Sequence, residues 1–138
     1  MDVEFVKQQL YTVRNLNRVH EKQRTLIHEV FMNPATHDAK LIQILVESGV
    51  SLTPKTGHPS VLILYLKKAK ELDLSLIKLM FENGVNPNPK IALNNPLYEL
   101  SKRKDASLAA FKLLIEYGCH YDTNLWGLRN VLWRYVYT

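Results

Sequence analysis

The chain has 138 residues, of which 46% are apolar and 22% are charged, with one cysteine and a formal net charge of +5. These values indicate one folded domain over residues 1–138, and they exclude a disordered tail and a disulfide-stabilised scaffold. The sequence contains no run of roughly eighteen apolar residues that would predict a membrane-spanning helix, and the lone cysteine favours a reducing, cytoplasmic location. Because leucine is frequent and glycine is scarce, we expect an all-α fold.

The first predicted element is an amphipathic helix within residues 1–20. Stacked helical units need a polar outer face where the stack ends, so we interpret this segment as an N-terminal cap. Its apolar stripe consists of Val3, Phe5, Val6 and Leu10.

Three similar ten-residue segments follow, and each ends one residue after a glycine, at Gly49, Gly84 and Gly118. Successive glycines are 35 and 34 residues apart, and the apolar positions of the three segments align. Apolar residues at this spacing predict a helix that is packed on more than one side. The glycines are expected to end these helices in the left-handed conformation.

Each of these helices has a candidate N-terminal cap. Asp38 and Asp73 lie eleven residues before the closing glycines of their segments. A carboxylate at that point can accept hydrogen bonds from the free amides of the first turn. The third segment offers Asp105 or Ser107 for the same role.

A shorter helix is predicted before each glycine-terminated helix, with starts near Thr25, His58 and Asn95, at intervals of 33 and 37 residues. Pro59 and Pro96 are expected just inside the second and third of these helices, where a missing amide hydrogen has no cost. The unit is therefore a pair of helices, a glycine stop and a polar connector. The predicted units cover residues 21–53, 54–88 and 89–122.

These units resemble the ankyrin-repeat family. The family's unit opens with threonine-proline-leucine-histidine and closes with a leucine-rich helix, Glu-x-Gly and an apolar residue. In the first copy Thr25 and His28 match the opening, while Leu26 replaces its proline. In the third copy Pro96 and Leu97 match.

The resemblance covers residues 17–122 and is closest at the closing motif, above all in residues 82–88. Tyr98 stands in place of the histidine of the third copy, and the second copy keeps only Pro59 of its opening. Such leucine-rich units look like the ankyrin proteins of large DNA viruses, especially poxviruses, and of bacterial effectors. The resemblance implies a short solenoid between two capping helices, which binds a host signalling or ubiquitin-ligase factor in the host cytoplasm or nucleus.

The predicted contacts with a partner protein are the concave face, built from the first helix of each unit, and the connectors between units, which project as fingers along one edge in the resembling family. An ordinary solvated loop is the alternative interpretation. The candidates are Thr53, Lys55, Thr56 and His58 in one connector and Asn88, Lys90, Leu93 and Asn94 in the next.

Six basic residues follow the first helices of two units at equivalent positions. Equivalent positions in stacked helices lie about 10 Å apart, so these charges are expected to form one basic ridge. The ridge suits an acidic partner or nucleic acid, although lysines at helix ends can also serve solubility alone. Base stacking would need aromatic residues, and only Tyr65 and Tyr98 are near. The ridge consists of Lys67, Lys68, Lys70, Lys102, Arg103 and Lys104.

The last segment, residues 123–138, is too apolar for a tail and is predicted to form a C-terminal capping helix. Trp126 and Trp133 either cover the last unit or form an interface with a partner, and both interpretations stay open.

No catalytic, metal-binding or cofactor-binding residue is predicted. The histidines lack metal-ligand spacing, and His28 matches a structural histidine of the resembling motif. Cys119 replaces an apolar residue after a closing glycine and is expected to be buried. The sequence predicts a non-enzymatic protein-binding module. A nucleic-acid-binding helical module is the alternative, and the regulatory module of an enzyme is a third hypothesis.

Overall fold

The computed structural model describes residues 15–19, 24–55, 59–89 and 95–119. These residues contain six α-helices, one 3₁₀ turn and no strand, which confirms the all-α class for this part of the chain. The helices are α1 (Leu26–Met32), α2 (Ala39–Glu47), α3 (Val61–Lys68), α4 (Leu74–Glu82), α5 (Pro96–Ser101) and α6 (Leu108–Glu116), and the 3₁₀ turn is Pro34–Thr36.

The first helix of each pair begins after a polar cap at a fixed interval. The caps are Thr25, Ser60 and Asn95, and 35 residues separate each from the next. Pro96 occupies the first helical position, as predicted. The prediction for Pro59 is wrong, because the Ser60 hydroxyl accepts a first-turn amide at 3.4 Å and the helix begins after it. The interval is therefore uniform, rather than 33 and 37 residues.

The second helix of each pair begins at a side-chain cap as well. Asp38 accepts two first-turn amides at 2.8 and 3.3 Å, and Asp73 accepts one at 2.9 Å, which confirms both predictions. In the third pair Ser107 accepts the equivalent amide at 3.1 Å. Asp105 lies outside the helix and has other partners.

The closing glycines end the second helices in the predicted conformation. The φ angles of Gly49, Gly84 and Gly118 are 100°, 85° and 99°. Each glycine amide donates to the carbonyl three residues earlier, and the next amide donates to the carbonyl five residues before it. This pair of bonds is the Schellman motif, which satisfies carbonyls at the end of a helix and turns the chain away.

Contacts between helices run in two series. Among the first helices, α1 contacts α3 and α3 contacts α5, while among the second helices α2 contacts α4 and α4 contacts α6. One apolar core receives residues from all six helices, and burial of each such side chain stabilises the fold by about 1.5–3 kcal/mol. Fully buried examples, one from each helix in order, are Ile27, Ile42, Leu62, Ile77, Leu97 and Leu114.

A short segment before α1 is held against the first unit. Leu16 packs partly buried against the core. The Asn17 side chain donates to the Gly49 carbonyl at 3.0 Å and accepts the Ser51 amide at 2.7 Å. The rest of the predicted N-terminal cap and all of residues 123–138 lie outside the described residues.

Candidate interaction surfaces

Three of the predicted connector contacts lie in the described residues. Thr53 and Lys55 are exposed. Asn88 is half-buried, and its side chain donates to the Gly118 carbonyl at 2.8 Å, so it fixes the connector to the next unit. The other candidates, Thr56, His58, Lys90, Leu93 and Asn94, lie outside the described residues.

The first connector has an anchored backbone under its exposed side chains. The Ser51 amide donates to Asn17 at 2.7 Å, and the Thr53 amide donates to the Ser51 hydroxyl at 3.1 Å. Leu52, between them, is only 4% exposed. Thr53 is therefore presented from a backbone that is already ordered, and this lowers the entropy cost of binding.

All six residues of the basic ridge are described. Lys67 and Lys68 lie in the last turn of α3, where positive charge is favoured by the helix dipole. The exposed members of the ridge are Lys67, Lys68, Lys70, Lys102 and Lys104.

A buried carboxylate joins the two halves of the ridge. Glu99 in α5 is 6% exposed, and its Oε1 lies 3.3 Å from Nζ of Lys102 and 4.0 Å from Nζ of Lys67. The lysine side chains are 52% and 39% exposed, so solvent screens each pair to below about 1 kcal/mol. Lysines from two neighbouring units thus meet at one carboxylate.

Arg103 is directed into the protein, and its side chain is only 11% exposed. Its Nη1 donates to the Leu66 carbonyl at 2.8 Å, while Nε and Nη2 donate to Asp105 at 2.8 and 3.1 Å. Asp105 also accepts the Leu72 amide at 3.0 Å. The hydrogen bonds from Arg103, assisted by the bond from Leu72, hold the pKa of Asp105 below its usual value. Arg103 therefore connects two units instead of adding to the exposed charge.

An aromatic cluster lies beside this connection. Tyr65 is 1% exposed, and its hydroxyl accepts the Asp73 amide at 2.8 Å, so its ring is unavailable to a ligand. The His37 ring lies 5.0 Å from the Tyr65 ring, and its Nε2 donates to the Phe31 carbonyl at 2.8 Å. Burial lowers the pKa of His37, the bond to Phe31 opposes this, and the charge of Arg103 lowers it further. This environment therefore favours the neutral form of the imidazole.

Tyr98 is the exposed aromatic residue of the ridge. Its side chain is 40% exposed, and Nζ of Lys102 lies 4.4 Å from the centre of its ring. A cation at this distance over an aromatic ring is attracted by the ring's negative face. The sequence identified Tyr98 as a replacement for the motif's histidine and as one of two aromatic residues near the basic ridge, but it did not indicate which of the two is exposed.

Two residues with reactive side chains, Cys119 and His28, are buried and hydrogen-bonded within the fold. Cys119 is 4% exposed, burial raises the pKa of its thiol to about 12, and its Sγ lies 3.3 Å from the Pro87 carbonyl. His28 is 1% exposed, and its Nδ1 accepts the Thr25 amide at 2.9 Å, which confirms its structural role. No group of three or more His, Cys, Asp or Glu side chains in the described ranges could hold a metal ion.

No helix within the described part of the chain combines the length and the apolar character needed to cross a bilayer. Trp126 and Trp133 lie outside the described residues. Comparisons with protein-family models, curated proteins and solved structures find no match to this chain.

Proposed function

We propose that this chain is an ankyrin-type interaction module that binds another protein and carries out no reaction. The observation that supports this most strongly is the repetition of one unit, with a side-chain cap and a glycine closure at matching positions in three helical pairs. Contacts that link first helices to first helices and second helices to second helices are typical of stacked repeats. Stacks of this kind present extended surfaces suited to binding proteins.

The connector edge is the proposed contact surface. Thr53 and Lys55 are exposed beside a buried leucine and a hydrogen-bonded backbone. The side-chain amide of Asn88 donates to the Gly118 carbonyl and ties the second connector to the next unit. The side-chain amide of Asn17 makes the equivalent bond to the Gly49 carbonyl. The described residues of the connectors, anchored in this way, supply side chains for recognition at a low cost in ordering the backbone.

The resemblance to viral ankyrin proteins supports a host protein as the partner. On this hypothesis the chain acts in the host cytoplasm or nucleus and inhibits a signalling factor. A nucleic-acid-binding module is the second candidate, and the exposed lysines of the ridge favour it. Burial of Tyr65, the engagement of Arg103 and the carboxylate of Glu99 between two of the lysines weigh against it.

The test is affinity capture with the full chain from the native source, followed by measurement of the stoichiometry of any complex. A Thr53→Ala/Lys55→Ala double variant is expected to bind the partner at least about tenfold more weakly, the scale of interface hot spots. Lys40→Ala/Gln43→Ala changes exposed residues of α2 and is the matched control. A complex that is unaffected by the connector variant would refute the proposed surface.

A parallel titration with labelled DNA and RNA separates the second candidate. Affinity that falls steeply with salt, and that is lost when Lys67, Lys68 and Lys102 become alanine, would favour nucleic acid over protein as the ligand of the ridge.

A further inference from the structure

The third helical position of the first helices shows an unequal pattern of burial. His28 in α1 and Ile63 in α3 are each 1% exposed, whereas Tyr98 in α5 is 40% exposed. A tyrosine that is 40% exposed where the equivalent residues are buried contributes little to the core. Tyrosine is, however, among the residues enriched in the energetic centres of protein interfaces.

The Tyr98 ring has a lysine close to its face. Lys102, the residue that follows the end of α5, lies one turn after Tyr98, with its Nζ 4.4 Å from the ring centre and 3.3 Å from Oε1 of Glu99. Glu99 is itself buried and is shared with Lys67 of the neighbouring unit. The ring and two lysines therefore lie together around one carboxylate, and we call this group the Tyr98 platform (Lys67, Tyr98, Glu99 and Lys102).

The surroundings of the Tyr98 platform are positively charged. Residues 65–72 and 98–105 contain six basic and three acidic residues, a net charge of +3. The charges of Arg103 and Asp105 cancel each other, so the exposed lysines carry the net positive charge. A binding partner of the opposite charge would be steered to this surface.

We infer that the Tyr98 platform binds a short acidic segment of a partner protein, with glutamate or aspartate at the lysines and an apolar side chain against the Tyr98 ring. This inference rests on the proposed protein-binding function and names the chemistry of the partner. The chain's own residues 120–138 carry two arginines and one aspartate, and their charge is therefore of the wrong sign for this surface. Nucleic acid is disfavoured because base stacking needs several exposed aromatic rings, and of the two tyrosines near the basic ridge only Tyr98 is exposed.

The test uses the full chain and short fluorescein-labelled peptides in which glutamate alternates with leucine, phenylalanine or tyrosine. Matched peptides carry glutamine in place of glutamate, and a labelled oligothymidylate is the nucleic-acid probe. We expect acidic peptides to bind and to perturb amide resonances of residues 98–102. We also expect Tyr98→Ala and Lys67→Gln/Lys102→Gln each to weaken that binding at least about tenfold.

The control Lys78→Gln/Lys112→Gln removes two exposed lysines from α4 and α6, away from the Tyr98 platform, and is expected to leave the affinity unchanged. Circular dichroism checks that each variant is folded. Equal binding of the glutamine peptides, absence of binding by every acidic peptide, or tighter binding of oligothymidylate would overturn the inference. A different outcome is a captured partner that depends on Thr53 and Lys55 and yet binds the Tyr98→Ala variant as tightly as the wild type. That result would overturn the inference while leaving the proposed function intact.

Discussion

The second helices of the three pairs are built alike, whereas the first helices are not. α2, α4 and α6 each have nine residues, an Asp or Ser cap and a glycine closure. α1, α3 and α5 have seven, eight and six residues, and their third position is His28, Ile63 or Tyr98. The second helices therefore carry the repeat, and the first helices carry what distinguishes one unit from another.

This division has a physical origin. The Schellman closure needs a positive φ angle, which only glycine adopts without steric cost. Each second helix therefore requires a glycine just after its end. The first helices end without such a requirement, and their sequences are constrained by their neighbours instead. In α3, which has a first helix on either side, every residue from Val61 to Leu66 is buried. The units therefore differ most in their first helices, where no backbone conformation requires a particular residue.

The largest effect is expected in the shared core. Ile77→Ala in α4 removes a side chain with no exposed surface and should lower the free energy of unfolding by about 2–5 kcal/mol. Tyr98→Ala in α5 should change it by less than about 0.5 kcal/mol, because the ring contributes little to the core. Urea denaturation of both variants measures the contrast. A similar loss for the two would show that Tyr98 is a packing residue.

The next effect concerns the connection between units. Arg103→Ala leaves the Leu66 carbonyl and the Asp105 carboxylate without their partner, at a cost of about 1–3 kcal/mol in unfolding free energy. Lys104→Ala, one residue later in the exposed turn, should stay within about 0.5 kcal/mol of the wild type. Equal urea midpoints for the two variants would rule out a structural role for Arg103.

A smaller effect tests whether the glycine closures of the second helices are equivalent. Gly84→Ala places a Cβ where no atom lies within 4 Å, so its cost is conformational alone, about 1–2 kcal/mol. Gly49 has the same open surroundings and should show the same loss in thermal unfolding. Unequal losses at the two glycines would contradict the equivalence of the closures. Ser48→Ala, in an ordinary helical conformation, is the control.

The smallest effect is a dependence on pH. The pKa of His37 is lowered in the folded chain, so the unfolded chain binds this proton more readily. The stability that is present above the unfolded pKa of about 6.5 is therefore lost as the pH falls toward the lowered value. NMR titration of the imidazole ring measures the folded pKa directly. A folded pKa at or above 6.5 would contradict this environment, and His37→Phe should remove this part of the pH dependence from urea midpoints.

Much of the backbone plan could be predicted from the sequence, because it depends on local rules. The glycine closures and the caps Asp38 and Asp73 follow from spacing and residue type. The start of α3 could not be placed correctly, because Pro59 is suited to the first helical position and Ser60 is suited to the cap before it. The Ser60 hydroxyl accepts a first-turn amide, so the helix begins after Ser60.

The candidate site was less predictable, because it depends on contacts between units. The inward direction of Arg103 depends on the Leu66 carbonyl, 37 residues earlier, whereas the spacing of Arg103 and Asp105 alone is compatible with an ion pair. The exposure of Tyr98 depends on which side of α5 meets α3, and no local pattern encodes it.

The asparagines that reach across units bear on how this chain unfolds. Asn17 and Asn88 each donate to the carbonyl of a closing glycine about thirty residues away, at the point where a second helix ends. Arg103 makes a comparable bond from the third unit to the second. In a repeat protein, stability is divided between individual units and the interfaces between neighbours. These bonds join neighbouring units and are lost when either unit unfolds, so they contribute to the stability of the interfaces. They therefore favour a single cooperative unfolding transition over the unfolding of one unit at a time.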